Sequence, residues 1–138
     1  MSRPHFLQPL LKADSGLPLY VDGRDEPVAT ALEGAFDSAA RKRGLLGRDA
    51  LPDAAGLAIA PCSGIHTFGM RFPIDVIFAA RDGRVLKILA AVPPRRIAVA
   101  LRAFAAVELA AGAAGRSGVQ VGDRLIVGER PCGSMKRT

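Results

Sequence analysis

Three side chains in this sequence are of the types that acid–base chemistry uses: Asp75, Glu108 and His66. Asp75 stands in Pro73-Ile74-Asp75-Val76-Ile77-Phe78 and Glu108 in Ala106-Val107-Glu108-Leu109-Ala110, each between apolar neighbours. A carboxylate left unpaired in such surroundings is costly, so each acid is expected at a strand edge or against a donor. The fifteen Arg residues supply donors, and a structural tie to Arg is the first expectation for both acids. His66 lies in Gly64-Ile65-His66-Thr67-Phe68, on one strand face with Phe68 and Met70. That setting suits a hydrogen-bonded, half-buried imidazole better than a ligand.

Other constellations are weaker. His5 gives no second imidazole at helical or strand spacing, and His66 with Asp75 and Glu108 has no metal-site signature, so neither metal nor cofactor is expected. Cys62 lies four residues before His66, a spacing from which a thiolate–imidazolium pair can be built. The context of a cysteine protease is missing, and Ser63 lacks a Gly-x-Ser-x-Gly setting. Cys62 and Cys132 are seventy positions apart with no Cys-x-x-Cys pair. Two free thiols in a reducing compartment are expected rather than zinc or one long-range disulfide. Arg41, Arg43 and Arg48 surround Gly44-Leu45-Leu46-Gly47. Guanidinium groups can grip an anion there, but the spacing is not that of a phosphate loop. A helix end stabilised by positive charge is the simpler expectation.

The elements that must position these residues are mostly strands. Runs 74–80 and 84–92 flank Arg81-Asp82-Gly83, and Asp-Gly between apolar runs predicts a hairpin. Pro93-Pro94 ends its second strand, because Pro cannot donate to a ladder. Further strands are predicted at 17–22, 28–30, 57–60, 64–70, 103–110 and 124–127. Phe36, Ala39 and Ala40 make a helical stripe within 33–43, closed by Gly44, and 113–117 reads as a single helical turn. The expectation is a mainly β, compact β-sandwich or barrel-like single domain with one short helix in its N-terminal half. Residues 1–17 read as a loosely ordered arm, 18–130 as the domain and 131–138 as a basic tail.

The totals agree with one globular unit: 138 residues, 49% hydrophobic and 23% charged, with no Trp and one Tyr. The net charge of +6 is spread along the chain, without interleaved stacking aromatics, so no nucleic-acid partner is expected. Neither a signal-like apolar start nor a run of ~20 apolar residues is present, which predicts a cytoplasmic protein without a membrane partner.

Several blocks together resemble a known family. Arg43-Gly44-Leu45-Leu46-Gly47-Arg48, the stretch from Ile65 to Phe78, Asp82-Gly83-Arg84-Val85, Val107-Glu108-Leu109-Ala110-Ala111-Gly112 and Gly122-Asp123 look like the domain of unknown function 192 family, over about residues 28–127. The resemblance implies a compact, mainly β fold and no established activity. Many members carry Phe-Trp-Met-Lys-Asn-Thr before Pro-x-Asp, whereas this chain has Ile65-His66-Thr67-Phe68-Gly69-Met70 and is similar to a His-Thr subgroup. Arg48, His66, Thr67, Asp75 and Glu108 are the resulting binding-site candidates. Three functions remain open: a module that binds a small ligand or partner segment at a polar pocket, an enzyme using Asp75, Glu108 and His66, or a structural protein. Of these, the binding module leads and an enzyme is not favoured.

Overall fold

The computed structural model describes residues 3–13 and 15–128. In chain order these form β1 (Leu17–Val21), β2 (Pro27–Ala35), α1 (Ser38–Arg43), β3 (Ala55–Ile59), β4 (Gly64–His66), β5 (Ile74–Ala79), β6 (Val85–Val92), β7 (Ile97–Val99), β8 (Ala105–Ala110), α2 (Ala113–Ser117) and β9 (Leu125–Val127). Seven strands make one sheet in the order β6-β5-β8-β3-β2-β1-β9, and β4 pairs with β7 in a separate two-stranded ribbon. Every pairing is antiparallel except β2 with β3.

The hairpin predicted at Asp82-Gly83 joins β5 to β6, and Gly83 takes φ 94°, which glycine reaches without steric cost. That turn also closes the sheet on itself. The Leu125 amide donates to the Gly83 carbonyl at 2.8 Å, and the Val85 amide donates to the Asp123 carbonyl at 2.7 Å. A Cβ at Gly83 would run into the Leu125 carbonyl oxygen. With Arg84 bridged to Arg124, the two outer strands of the sheet meet. The mainly β expectation is therefore met by a barrel.

Alternation along the strands sorts two apolar layers. Leu19, Leu32, Ile77, Val107, Leu109 and Leu125 fill the barrel. Leu57, Ile59, Val76, Phe78 and Ala106 point outwards from β3, β5 and β8, where Leu45, Leu51, Met70 and Ala98 cover them. Strands β5 and β8 are thus buried along their whole length. Burial on both faces explains why they read as continuous apolar runs rather than alternating ones.

Three expectations shift. Residues 33–35 continue β2 instead of opening a helix, because Glu33 and Ala35 pair with Leu57 and Ile59 of β3. The ring of Phe36 fills the space a Cβ at Gly34 would take. Helix α1 begins only after Asp37, whose carboxylate accepts the Ala40 amide at 2.8 Å as an N-cap. The strand expected at 64–70 ends at His66, since Thr67 turns into the interior and Gly69 takes φ 85°. Residues expected in a loose arm carry a 3-10 helix, Gln8–Lys12, with Leu7 and Leu10 in the barrel core. There the Phe6 amide donates to the Arg81 carbonyl and the His5 ring rests 4.9 Å from that of Phe104. Residues 129–138, with Cys132 and the basic tail, lie outside the described part. No helix among the described residues is long and apolar enough to cross a membrane.

Candidate functional site

Register separates the two acids. Asp75 faces Leu109 and Val76 faces Glu108 across β5 and β8. Successive residues of a strand point to opposite faces, so Asp75 turns to the inside of the barrel and Glu108 to the outside.

Asp75 is fully buried, and its partners are backbone amides, not the arginine expected for it. The β5–β6 ladder slips between the pairs Ile74–Val92 and Val76–Leu89, which places Ala90 and Ala91 opposite the single residue Asp75. This bulge frees the Ala91 amide, which donates to Oδ1 at 2.8 Å. The amides of Gly112 and Ala114, where β8 passes into α2, donate to Oδ2 at 3.1 and 2.9 Å. Donors already fixed by the backbone satisfy the carboxylate without ordering a long side chain. Asp75 is the tie between β5, the bulge and α2.

Thr67 and Arg48 are also engaged elsewhere. Thr67 is buried, its hydroxyl donating to the Pro93 carbonyl at 2.7 Å and accepting from the Arg96 amide at 2.9 Å. It pins the chain after β4 to the turn before β7. Arg48 lies 3.6 Å from Glu33 on the surface, in a depression on the far side of the 44–47 turn.

His66 and Glu108 do share a site. A cavity of about 470 Å³ opens between α1 with the following turn and the Pro61–His66 segment, and both line it. Arg41, Lys42 and Arg43 stand on its α1 side, Cys62 and Ser63 on the other, and Leu45, Ile59, Ile65 and Met70 supply apolar wall. Glu108 is only 3% exposed. It makes no hydrogen bond or ion pair to any described residue, and no unpartnered side-chain oxygen is sealed from solvent. Its carboxyl oxygens therefore open into the cavity. His66 is exposed at the mouth, its ring 5.8 Å from that of Phe68.

The family model of domain of unknown function 192, described as uncharacterized ACR, matches residues 20–127. The chain belongs to that family. Two solved structures share the fold of this DUF192 domain. One is a protein of unknown function from Novosphingobium aromaticivorans, 26% identical, with TM-score 0.71, covering 83% of this chain and 93% of its own. The other, described as a putative transcription regulator from Sinorhizobium meliloti, is 23% identical with TM-score 0.72, covering 92% of this chain and 98% of its own. No curated protein matches the chain.

The electrostatics of the DUF192 cavity follow from its apolar walls. Burial disfavours a charged carboxyl and raises Glu108 to about 7. Cys62 is half-buried, its thiol donating to the Gly64 carbonyl at 3.1 Å. Burial pushes that thiol up, helped by the Glu108 carboxylate, and outweighs the Gly64 contact and Arg41. Cys62 thus stays a thiol at neutral pH, the poorer nucleophile. No hydrogen bond joins it to His66, and among the described residues no three His, Cys, Asp or Glu side chains gather closely enough to hold a metal. Cys62 and Arg41 were absent from the sequence-derived set. The small, polar run Pro61-Cys62-Ser63-Gly64, directly after a buried strand, is the signal that points to this wall.

Proposed function

We propose that the protein is a small-ligand binding module whose site is the cavity above Glu108. One observation carries this: a carboxyl nine-tenths buried, with no hydrogen-bonding partner among the described residues, opening into a cavity of ligand size. Buried polar groups are otherwise paired throughout this fold, as Asp75 and Thr67 are. Leaving one unpaired lowers stability, and a ligand that supplies its hydrogen bond turns that cost into affinity and specificity.

Asp75, on the opposite face of the sheet, cannot join Glu108 in acid–base catalysis, which leaves His66, exposed at the cavity mouth, as the group that chemistry would have to use with the buried Glu108. A cytoplasmic setting belongs to the same proposal, since a reducing compartment keeps the Cys62 thiol free.

The test is a chemically diverse set of small metabolites, followed by melting shift and protein-observed NMR on the full chain. Binders should be lost in Ser63→Trp, which fills the mouth, and retained in Arg48→Ala, on the far side of the 44–47 turn. A set without binders, or binders indifferent to Ser63→Trp, would refute the proposal.

A further inference from the structure

The geometry points to a ligand class for this cavity: a small zwitterion with an apolar carbon skeleton, its ammonium held by Glu108 and its carboxylate by Arg41. The inference rests on the binding role proposed above and adds the chemistry of the occupant.

Glu108 and Arg41 line one cavity, and both charges act on the sulfur of Cys62 in its wall. Yet they do not pair with each other, and neither is joined to another described residue by an ion pair. An acid and a base that face one cavity without closing on each other leave a gap wider than an ion pair. A molecule carrying both complementary charges bridges it. Glu108 also differs from the rim in depth: it is almost fully buried, whereas Lys42 and Arg43 are exposed and Arg41 is half-buried. The ammonium end therefore goes in first and the carboxylate stays near the mouth.

Between the two ends the walls are Leu45, Ile59, Ile65 and Met70. They offer no charge to a ligand's middle, so an alkyl chain or branched aliphatic side chain fits and a polyhydroxylated one does not. The basic residues of α1 outnumber the single acid, which disfavours a ligand with only a positive charge.

Proton linkage gives this class a signature. Among the described residues, the titratable and charged groups that share the cavity with Glu108 are Cys62, His66 and Arg41–Arg43, while Leu57 and Val76 on the neighbouring strands are apolar. An ammonium needs Glu108 ionised, and the empty site titrates near pH 7. Affinity should therefore rise about tenfold from pH 6 to pH 8, as the ionised fraction does.

The experiment is isothermal titration of the full chain with L-leucine and ε-aminocaproate. The single-charge counterparts are isoamylamine and isocaproate for the first, hexylamine and caproate for the second. The expected result is that at least one zwitterion binds about tenfold more tightly than either counterpart. Glu108→Gln and Arg41→Gln should each weaken it by about tenfold or more, and the pH dependence should vanish in Glu108→Gln. Binding of the carboxylates alone with Glu108→Gln silent, or of the amines alone with Arg41→Gln silent, overturns the zwitterion. So does affinity that falls as pH rises. If other metabolites bind in a Ser63→Trp-sensitive way while neither zwitterion does, the class fails and the site stands. If nothing binds at all, both fail.

Discussion

Two buried carboxylates sit one residue out of register on neighbouring strands, and their fates differ. Asp75 meets three backbone amides inside the barrel. Glu108 meets none among the described residues outside it and opens to a cavity. Sequence context is the same for both, an acid between aliphatic residues. The difference comes from what packs on each face: a bulge and a helix start bring free N–H groups to one, while a helix end rich in basic residues stands off from the other. Burial of a charge is therefore not itself a sign of function. Burial without a partner among the described residues, beside open space, is the observation on which the proposed ligand site rests.

The contrast can be tested by removing charge from each acid in turn. Asp75→Asn should have the largest effect. An amide offers its one acceptor oxygen to three donors and turns an NH2 towards at least one of them, a loss of about 4 kcal/mol. Thermal melting should fall by roughly 10 °C. An unchanged melting temperature would show that these amide contacts do not hold the fold.

Glu108→Gln should do the opposite at neutral and basic pH. The folded protein holds Glu108 near 7 against 4.5 for the free side chain, so the folded state binds the extra proton between those values. The stability this gives is complete below about pH 4.5 and lost as pH rises through 7. At pH 8 the wild type therefore carries a buried, unpaired anion that Gln removes. The variant should be more stable there by about 3 kcal/mol, with the advantage gone by about pH 4. Melting curves at the two pH values check this, and equal melting at pH 8 would mean that Glu108 is already partnered.

Thr67→Val keeps shape and removes the hydroxyl's bonds to Pro93 and Arg96, so it belongs with Asp75 and should cost about 1–2 kcal/mol by chemical denaturation. Arg48→Ala removes a solvent-exposed pair with Glu33, and its denaturation midpoint should barely move, by less than about 0.5 kcal/mol.

The β5–β6 hairpin and the helical turn at Ala113–Ser117 were legible because their signals are local: Asp82-Gly83 for one, a short alanine run bounded by Gly112 and Gly118 for the other. The end of β2 was not. Phe36, Ala39 and Ala40 have helical spacing, but parallel pairing with β3 holds residues 33–35 in the strand, and only Ala39 and Ala40 of that stripe enter α1. Gly34, a poor helix residue, and the Asp37-Ser38 cap were the available warnings. Asp75 and Glu108 were readable as residues needing an explanation. Their separation onto opposite faces was not, because it depends on strand register, which no local pattern encodes here. The Cys62–His66 segment and Glu108 meet in one cavity only through the fold, which also brings Arg41 from the distant α1.

The seam between the Gly83 turn and β9 bears on how this chain reaches its native state. Until residues 122–127 arrive, the outer edge of β1 and the Gly83–Val85 segment that opens β6 present unpaired backbone groups, and β1 must wait for β9, which lies far along the chain. Pairings so distant in sequence form slowly, and exposed strand edges recruit other chains. During synthesis the half-built sheet is thus an open template. Strand β9 works as a latch that covers the edge of β1 and fastens the start of β6.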